Sequence, residues 1–292
     1  MLDGAMGTEL LRRGADTGLP LWSARALAEC PETVRAVHAD YVQAGADIIT
    51  TNTFRTTPRT FRKASLPDAS ARLTAEAVRL AREARAGRDI LVAGSIAPLE
   101  DCYHPECVPP DADLEREHSL HAERLAAAGA DFLLAETMTT LREARAVCRA
   151  ACATGLETAI SFVCRGDGRL YGGDPLEDAV QAVADEGAAA VSLNCMHPRL
   201  VDTLVVRLLK LTGLPVMAYG NVGRQGMERT GKELEREVGP EAYAAHALGW
   251  LRAGAAAAGG CCGTTPGHIR LLSRRLREEQ GGSPAGAGSP HP

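Results

Sequence analysis

A chain of 292 residues, 45% hydrophobic and 24% charged, can bury a sizeable core as one large α/β barrel or as two ordinary domains. Its net charge of -5 and the lack of any basic block exclude the electrostatic footprint of a nucleic-acid binder, and no apolar run approaches the ~20 residues that span a membrane. The start of the chain has neither the basic region nor the apolar core of a signal peptide, so a cytoplasmic setting is expected. There the nine cysteines stay reduced and serve as core, catalytic or metal-binding thiols.

Only Met1 and Leu2 precede Asp3-Gly4, whereas strands usually run ~5 residues. Either the first strand is stunted or the chain starts inside a longer protein. Residues 31–54 then set a repeating unit. Pro31 to Ala44 have the periodicity of an amphipathic helix, Gly45 stops it, and Ala46-Asp47-Ile48-Ile49-Thr50-Thr51 reads as a buried strand ending at Asn52-Thr53-Phe54. The order helix, glycine, strand, polar tip returns with helices over 70–86 and 114–128 and strands over 89–95 and 131–137. Further strands are expected at 158–164, 189–195, 215–221 and 255–260, each separated by a helical segment. With residues 2–4 as the end of a first strand there are eight β/α units, which favour a closed (β/α)8 TIM barrel over residues 1–280. The polar stretches 99–113 and 222–238 follow strands and are expected to fold over the barrel mouth as lids. Residues 281–292 contain only Gly, Ser, Pro, Ala and one His, the composition of a disordered tail.

Asp3, Asn52, Ser95, Glu136, Cys164, Cys195, Asn221 and Cys261 all fall at C-terminal strand ends, the face on which such barrels carry their chemistry. Cys261 and Cys262 are adjacent in Gly259-Gly260-Cys261-Cys262-Gly263-Thr264-Thr265-Pro266. Consecutive side chains meet one ligand only where a strand has ended, and glycine permits that break. A bonded vicinal pair would be strained, so a soft metal such as zinc is the better occupant, and two thiolates need at least one more ligand. Cys195, also at a strand tip, is the leading candidate, and Cys164 is the one other cysteine expected to reach the site. Three thiolates with an open fourth position make a catalytic zinc site, not a structural one. Cys148 and Cys152, spaced i, i+4 among Ala and Val, read as a packed helix. His104, His118, His121 and His197 lack paired ligand spacing and are expected on the surface or in hydrogen bonds. Asp3 and Glu136 would present two acids at the barrel mouth, which suits the ammonium group of an amino-acid substrate.

Four blocks carry a family resemblance: Asp3-Gly4-Ala5-Met6-Gly7-Thr8-Glu9-Leu10, Gly45 to Phe54, Asn194-Cys195, and Gly260 to Pro266. Together they resemble the homocysteine S-methyltransferase family, which includes betaine- and S-methylmethionine-homocysteine methyltransferases and the homocysteine module of cobalamin-dependent methionine synthase. The resemblance runs from residue 2 to about 277, with the motifs in matching order. It implies zinc held by Cys195, Cys261 and Cys262, and L-homocysteine held through its amino group by Asp3 and Glu136. The backbone around Gly4 and Thr53 would receive the substrate carboxylate. No catalytic side chain is implied beyond the zinc-bound substrate thiolate. Tyr219-Gly220-Asn221 departs from the family's Tyr-Pro-Asn, which leaves the placement of Asn221 open.

The expected reaction is methyl transfer to homocysteine, giving methionine, from a soluble sulfonium or betaine: S-methylmethionine, S-adenosylmethionine or betaine itself. Trp22, in Pro20-Leu21-Trp22-Ser23, resembles an aromatic position early in the small-molecule-donor enzymes, so Trp22 and Asn221 are donor-site or lid candidates. Two alternatives stand beside this. The Thr51-Asn52-Thr53-Phe54 and Gly263-Thr264-Thr265-Pro266 blocks look closer to the methionine synthase module, so a separate methyl-corrinoid or folate protein could supply the methyl. From a different class, a protein that stores zinc or senses oxidants through Cys261-Cys262 would need no turnover, but it would have no use for Asp3, Glu136 and Thr53 at the same mouth.

Overall fold

The computed structural model describes residues 1–224, 235–236 and 238–281. Six parallel strands, β1 (Ile48–Thr50), β2 (Leu91–Ile96), β3 (Phe132–Met138), β4 (Thr158–Phe162), β5 (Ala190–Asn194) and β6 (Val216–Gly220), pair in sequence order. A short antiparallel pair, β7 (Gly223–Arg224) and β8 (Glu235–Arg236), leaves the mouth before β9 (Ala257–Gly260) takes its place beside β6. The helices are α1 (Gly7–Arg12), α2 (Ala26–Glu29), α3 (Pro31–Ala44), α4 (Pro58–Lys63), α5 (Ala69–Ala84) and α6 (Asp111–Ala128). They continue with α7 (Leu141–Cys152), α8 (Leu176–Asp185), α9 (Pro198–Leu211), α10 (Pro240–Ala253) and α11 (Pro266–Gly281).

The parallel sheet is closed by the first residues of the chain. Leu2 N–H donates to the Ala258 carbonyl and Gly260 N–H to the Asp3 carbonyl on one side. On the other, Ile48 N–H donates to Met1 and Asp3 N–H to Ile48. The stunted first strand therefore joins β9 to β1, and the sheet becomes a (β/α)8 barrel. The interior is a layer that mixes large and small side chains, Leu2, Leu134, Met217 and Tyr219 with Ala93, Ala159 and Ala257. The outer faces of the strands pack on the helices in two larger clusters.

Local signals account for the element ends. Gly45, Gly129 and Gly254 follow α3, α6 and α10 with φ of 101°, 91° and 116°, the left-handed C-cap that lets the chain turn back into a strand. The 99–113 stretch is short loop up to Asp111, where α6 begins three residues earlier than its apolar periodicity suggests, after Pro109-Pro110. Of the second expected lid, 222–238, the residues 225–234 and 237 lie outside the described residues, as do 282–292 of the expected tail. Among the described residues no helix is long and apolar enough to cross a membrane.

Candidate metal centre and substrate pocket

At the C-terminal ends of the strands, Cys195, Cys261 and Cys262 place their sulfurs within 4.8 Å of one another. Cys195 Sγ is 2.9 Å from Cys261 Sγ and 3.8 Å from Cys262 Sγ. Two backbone devices produce this. Cys195 follows β5 with φ 57°, a left-handed conformation that costs a non-glycine residue about 1–2 kcal/mol and swings its thiol into the mouth. After β9 the chain leaves extended geometry at once, so both vicinal thiols face the same space. Thr264 holds that turn, its Oγ1 donating to the Cys261 carbonyl and accepting from Ala5 N–H.

A tetrahedral zinc with Zn–S of ~2.3 Å sets its sulfurs about 3.8 Å apart, the spacing that Cys195 and Cys262 already have. With three soft donors at this separation, the cluster suits a thiophilic cation. The metal-free thiols also polarise one another: hydrogen bonds from Cys195 and Cys261 push Cys262 down, while sharing that charge pushes Cys195 up.

Gly260 has no room for a side chain, since a Cβ there would overlap Thr264 Oγ1, Cβ and Cγ2. Gly260→Ala is expected to destabilise the fold by about 1–3 kcal/mol, the usual cost of overpacking, and to weaken metal retention by displacing the Thr264 clamp. Thermal unfolding and chelator competition measure the two effects; an unchanged chelator midpoint would separate Thr264 from the metal turn.

Asp3 and Glu136 line the same pocket. Asp3 is buried and accepts from Thr50 N–H at 2.8 Å and Thr50 Oγ1 at 3.1 Å. Glu136 accepts a short hydrogen bond from Ser95 Oγ and keeps one edge on the cavity. It stands in a β-bulge: the β3–β4 register shifts between Ala135 and Met138, and Thr137 has φ 64°. Asn194 locks the bulge. Its Oδ1 accepts from Thr137 N–H and Ser161 Oγ, and its Nδ2 donates to Thr137 Oγ1.

Burial pushes both acids up to about 8, with Glu136 raised further by the nearby Cys261. Unfolded, both ionise near pH 4. Folding therefore takes up protons between about pH 4 and pH 8, and the stability these groups contribute is lost as pH rises through that interval. The melting temperature of the substrate-free protein is expected to fall between about pH 6 and pH 9, and an added ammonium ligand to reverse the fall by favouring the ionised acids. A flat profile would mean that the acids are ionised already.

Trp22 lines the pocket and meets Phe54 edge-on at 5.8 Å; Tyr103, from the loop after β2, meets Tyr171 at 6.0 Å. Gly4 is also in the lining, closely backed by Thr264 and Tyr41. The remaining expected site residues are placed otherwise. Thr53 is fully buried behind the wall, its N–H donating to Thr51 and its Oγ1 to the Ser95 carbonyl, while its neighbours Asn52 and Phe54 face the cavity. Asn221 is buried after β6, with its N–H on the Met196 carbonyl, and is not among the residues lining the pocket.

Two expectations are corrected. Cys164 does not approach the cluster: it packs in the core between the sheet and the helices, its N–H on Met196 Sδ. The cysteine that does enter the pocket is Cys102, from the loop after β2, a position that no periodicity marks. His121 is fully buried instead of at the surface, while His118, also buried, makes the hydrogen bond expected of it. His118 pairs with the equally buried Glu143 at 3.1 Å, and burial pushes His121 down to about 3. His104 is exposed beside Glu106, and His197 caps α9.

The barrel mouth thus gathers three thiols and two buried acids around one cavity at the C-terminal ends of the strands, the face on which barrels of this kind carry enzyme active sites. The chain belongs to the homocysteine S-methyltransferase family, whose model matches residues 1–276. It is 35% identical to homocysteine S-methyltransferase of Escherichia coli (strain K12) over 94% of both chains. It is 33% identical to a selenocysteine Se-methyltransferase of Brassica oleracea var. italica over 94% of this chain and 88% of that one. Among solved structures, the metallated form of the homocysteine methyltransferase MmuM from Escherichia coli superposes with a TM-score of 0.82 at 34% identity, covering 94% of this chain and 95% of that chain. The chain is accordingly a methyltransferase.

Proposed function

We propose that this protein transfers a methyl group from a small sulfonium or betaine donor to the thiol of L-homocysteine, giving methionine, with Zn2+ held by Cys195, Cys261 and Cys262. The observation that carries this is the convergence of those sulfurs within 4.8 Å in the cavity that Asp3 and Glu136 also line. Zinc held by three thiolates would supply an open coordination position at which a thiol ionises near neutral pH.

The chain's own residues do the rest. Asp3 and Glu136 receive the homocysteine ammonium as carboxylates, releasing to solvent the protons that burial favours, and so aim the substrate sulfur at the thiol cluster. Gly4 and the turn around Thr53 offer backbone to the carboxylate. Trp22, Phe54 and Tyr103 present aromatic surface to a cationic donor and exclude water from it. As the new S–CH3 bond forms, the donor's bond to methyl breaks, and the donor leaves as a neutral thioether or tertiary amine. No side chain need take a proton in that step. This aromatic wall favours a small donor over a methyl-corrinoid partner. Residues 1–280 act as one barrel unit, in the cytoplasm.

X-ray absorption at the zinc edge of the purified, reduced protein tests the acceptor half. Adding selenohomocysteine should place one selenium atom in the zinc's first coordination sphere; zinc whose coordination shows no substrate atom would defeat the proposal. Turnover with S-methylmethionine, S-adenosylmethionine or betaine alone tests the donor half, and activity only with an added corrinoid or folate protein would overturn it.

A further inference from the structure

The loop between β2 and α6 carries a fourth cysteine into the thiol pocket, and it is built to do so. Its base is pinned: Leu99 N–H donates to the buried Glu143, and the Glu100 carbonyl accepts from Arg55. Beyond the base a tight turn closes, with His104 N–H on the Asp101 carbonyl and Tyr103 N–H on Asp101 Oδ1. The turn leaves His104 exposed and drives Cys102 and Tyr103 inward, to 4% and 6% exposure. Cys102 is a free thiol in the same lining as Cys195, Cys261 and Cys262. Its charge would be felt by both Cys261 and Cys262.

A three-thiolate metal needs a fourth ligand when no substrate is bound. Within the lining, Asp3 has both oxygens engaged by Thr50 and Glu136 is held by Ser95, and both are harder donors than sulfur. Given the metal site argued above, we propose that Cys102 is the resting fourth ligand, a thiolate on a hinged turn that closes the site until the homocysteine sulfur replaces it. Cys102 lies outside the 4.8 Å trio, so closure moves the Asp101–His104 turn inward over its pinned base.

The exchange balances. Homocysteine arrives as a thiol and binds as a thiolate, and its proton passes to the departing Cys102 thiolate, so no separate base is consumed. After methyl transfer the thioether is a weak, neutral ligand. Cys102 rebinds, gives its proton to solvent and expels the product. The loop thus serves product release as well as protection of the empty site.

The test uses the full chain loaded with cobalt(II) or zinc, as wild type, Cys102→Ala and Cys102→Ser, with the metal-edge sulfur count and the cobalt ligand-field spectrum as readouts. Without homocysteine, wild type should show four sulfurs and both variants three sulfurs with one lighter atom; with homocysteine all three should show four. Homocysteine affinity should tighten in the variants in proportion to the fraction of wild type held closed. Three sulfurs and one lighter atom in substrate-free wild type, unchanged by the substitutions, would overturn the proposal while leaving the metal site intact. A wild type that holds no metal would overturn both.

Discussion

Cys195→Gly is expected to give a folded barrel that retains no zinc and transfers no methyl group. The substitution deletes one of three thiolates, and two cannot hold a catalytic zinc against a chelator. Its value as a test lies in the backbone. At φ 57° glycine relieves about 1–2 kcal/mol of left-handed strain while adding freedom to the unfolded chain, so the two effects nearly cancel. Cys195→Ala removes the same thiolate but keeps the strain. Both variants should melt within a few degrees of metal-free wild type, while metal content and methyl transfer both fall to background. One equivalent of tightly held zinc in either variant would show that the ligand set is wrong.

Glu136→Ala should leave zinc bound and weaken homocysteine by about 30-fold to several thousand-fold, the ~2–5 kcal/mol that follows removal of one partner of a buried charge pair. Because the acid is largely protonated at neutral pH in the empty pocket, its removal should not destabilise the fold, and above about pH 8 the variant should be relatively more stable than wild type. Isothermal titration with homocysteine and parallel metal analysis separate the outcomes. Unchanged homocysteine affinity would remove Glu136 from the substrate site, and loss of zinc would make it part of the metal's support instead.

Much of this architecture is legible in the residues because the signals are local. The helix Pro31–Ala44, stopped by Gly45, stands as its pattern predicts, and each strand overlaps its expected span, with ends trimmed by up to two residues and β2 and β3 running one residue past theirs. The vicinal cysteines were conspicuous because consecutive side chains converge only where a strand breaks. What stayed hidden depends on non-local packing. Cys164 ends a strand, yet its side chain falls on the outer face, whereas Cys102 sits in a loop with no period and is carried inward by one Asp-centred turn. His118 carries no mark of burial, because its partner Glu143 is a helix away. Asn194 is another case: it stands beside a conspicuous cysteine, but its task is to lock the bulge that presents Glu136 on a different strand. A Cys-x-x-x-Cys spacing or a strand-tip acid can be seen in one dimension; a hydrogen bond across three staves cannot.

The closure of the barrel bears on how the site is held together. Asp3 belongs to a stave stitched by two backbone hydrogen bonds to β9 on one side and by bonds to Ile48 and from Asp47 and Ile48 on the other, and its neighbour across the β9 seam is Gly260, one residue before Cys261. The joint between this stave and β9 therefore runs between Asp3 and the thiol cluster. An amino acid bound as proposed, with its ammonium on Asp3 and its sulfur at Cys261, would span that joint like a staple. Its affinity would then be shared between recognising a shape and preventing the cylinder from breathing apart.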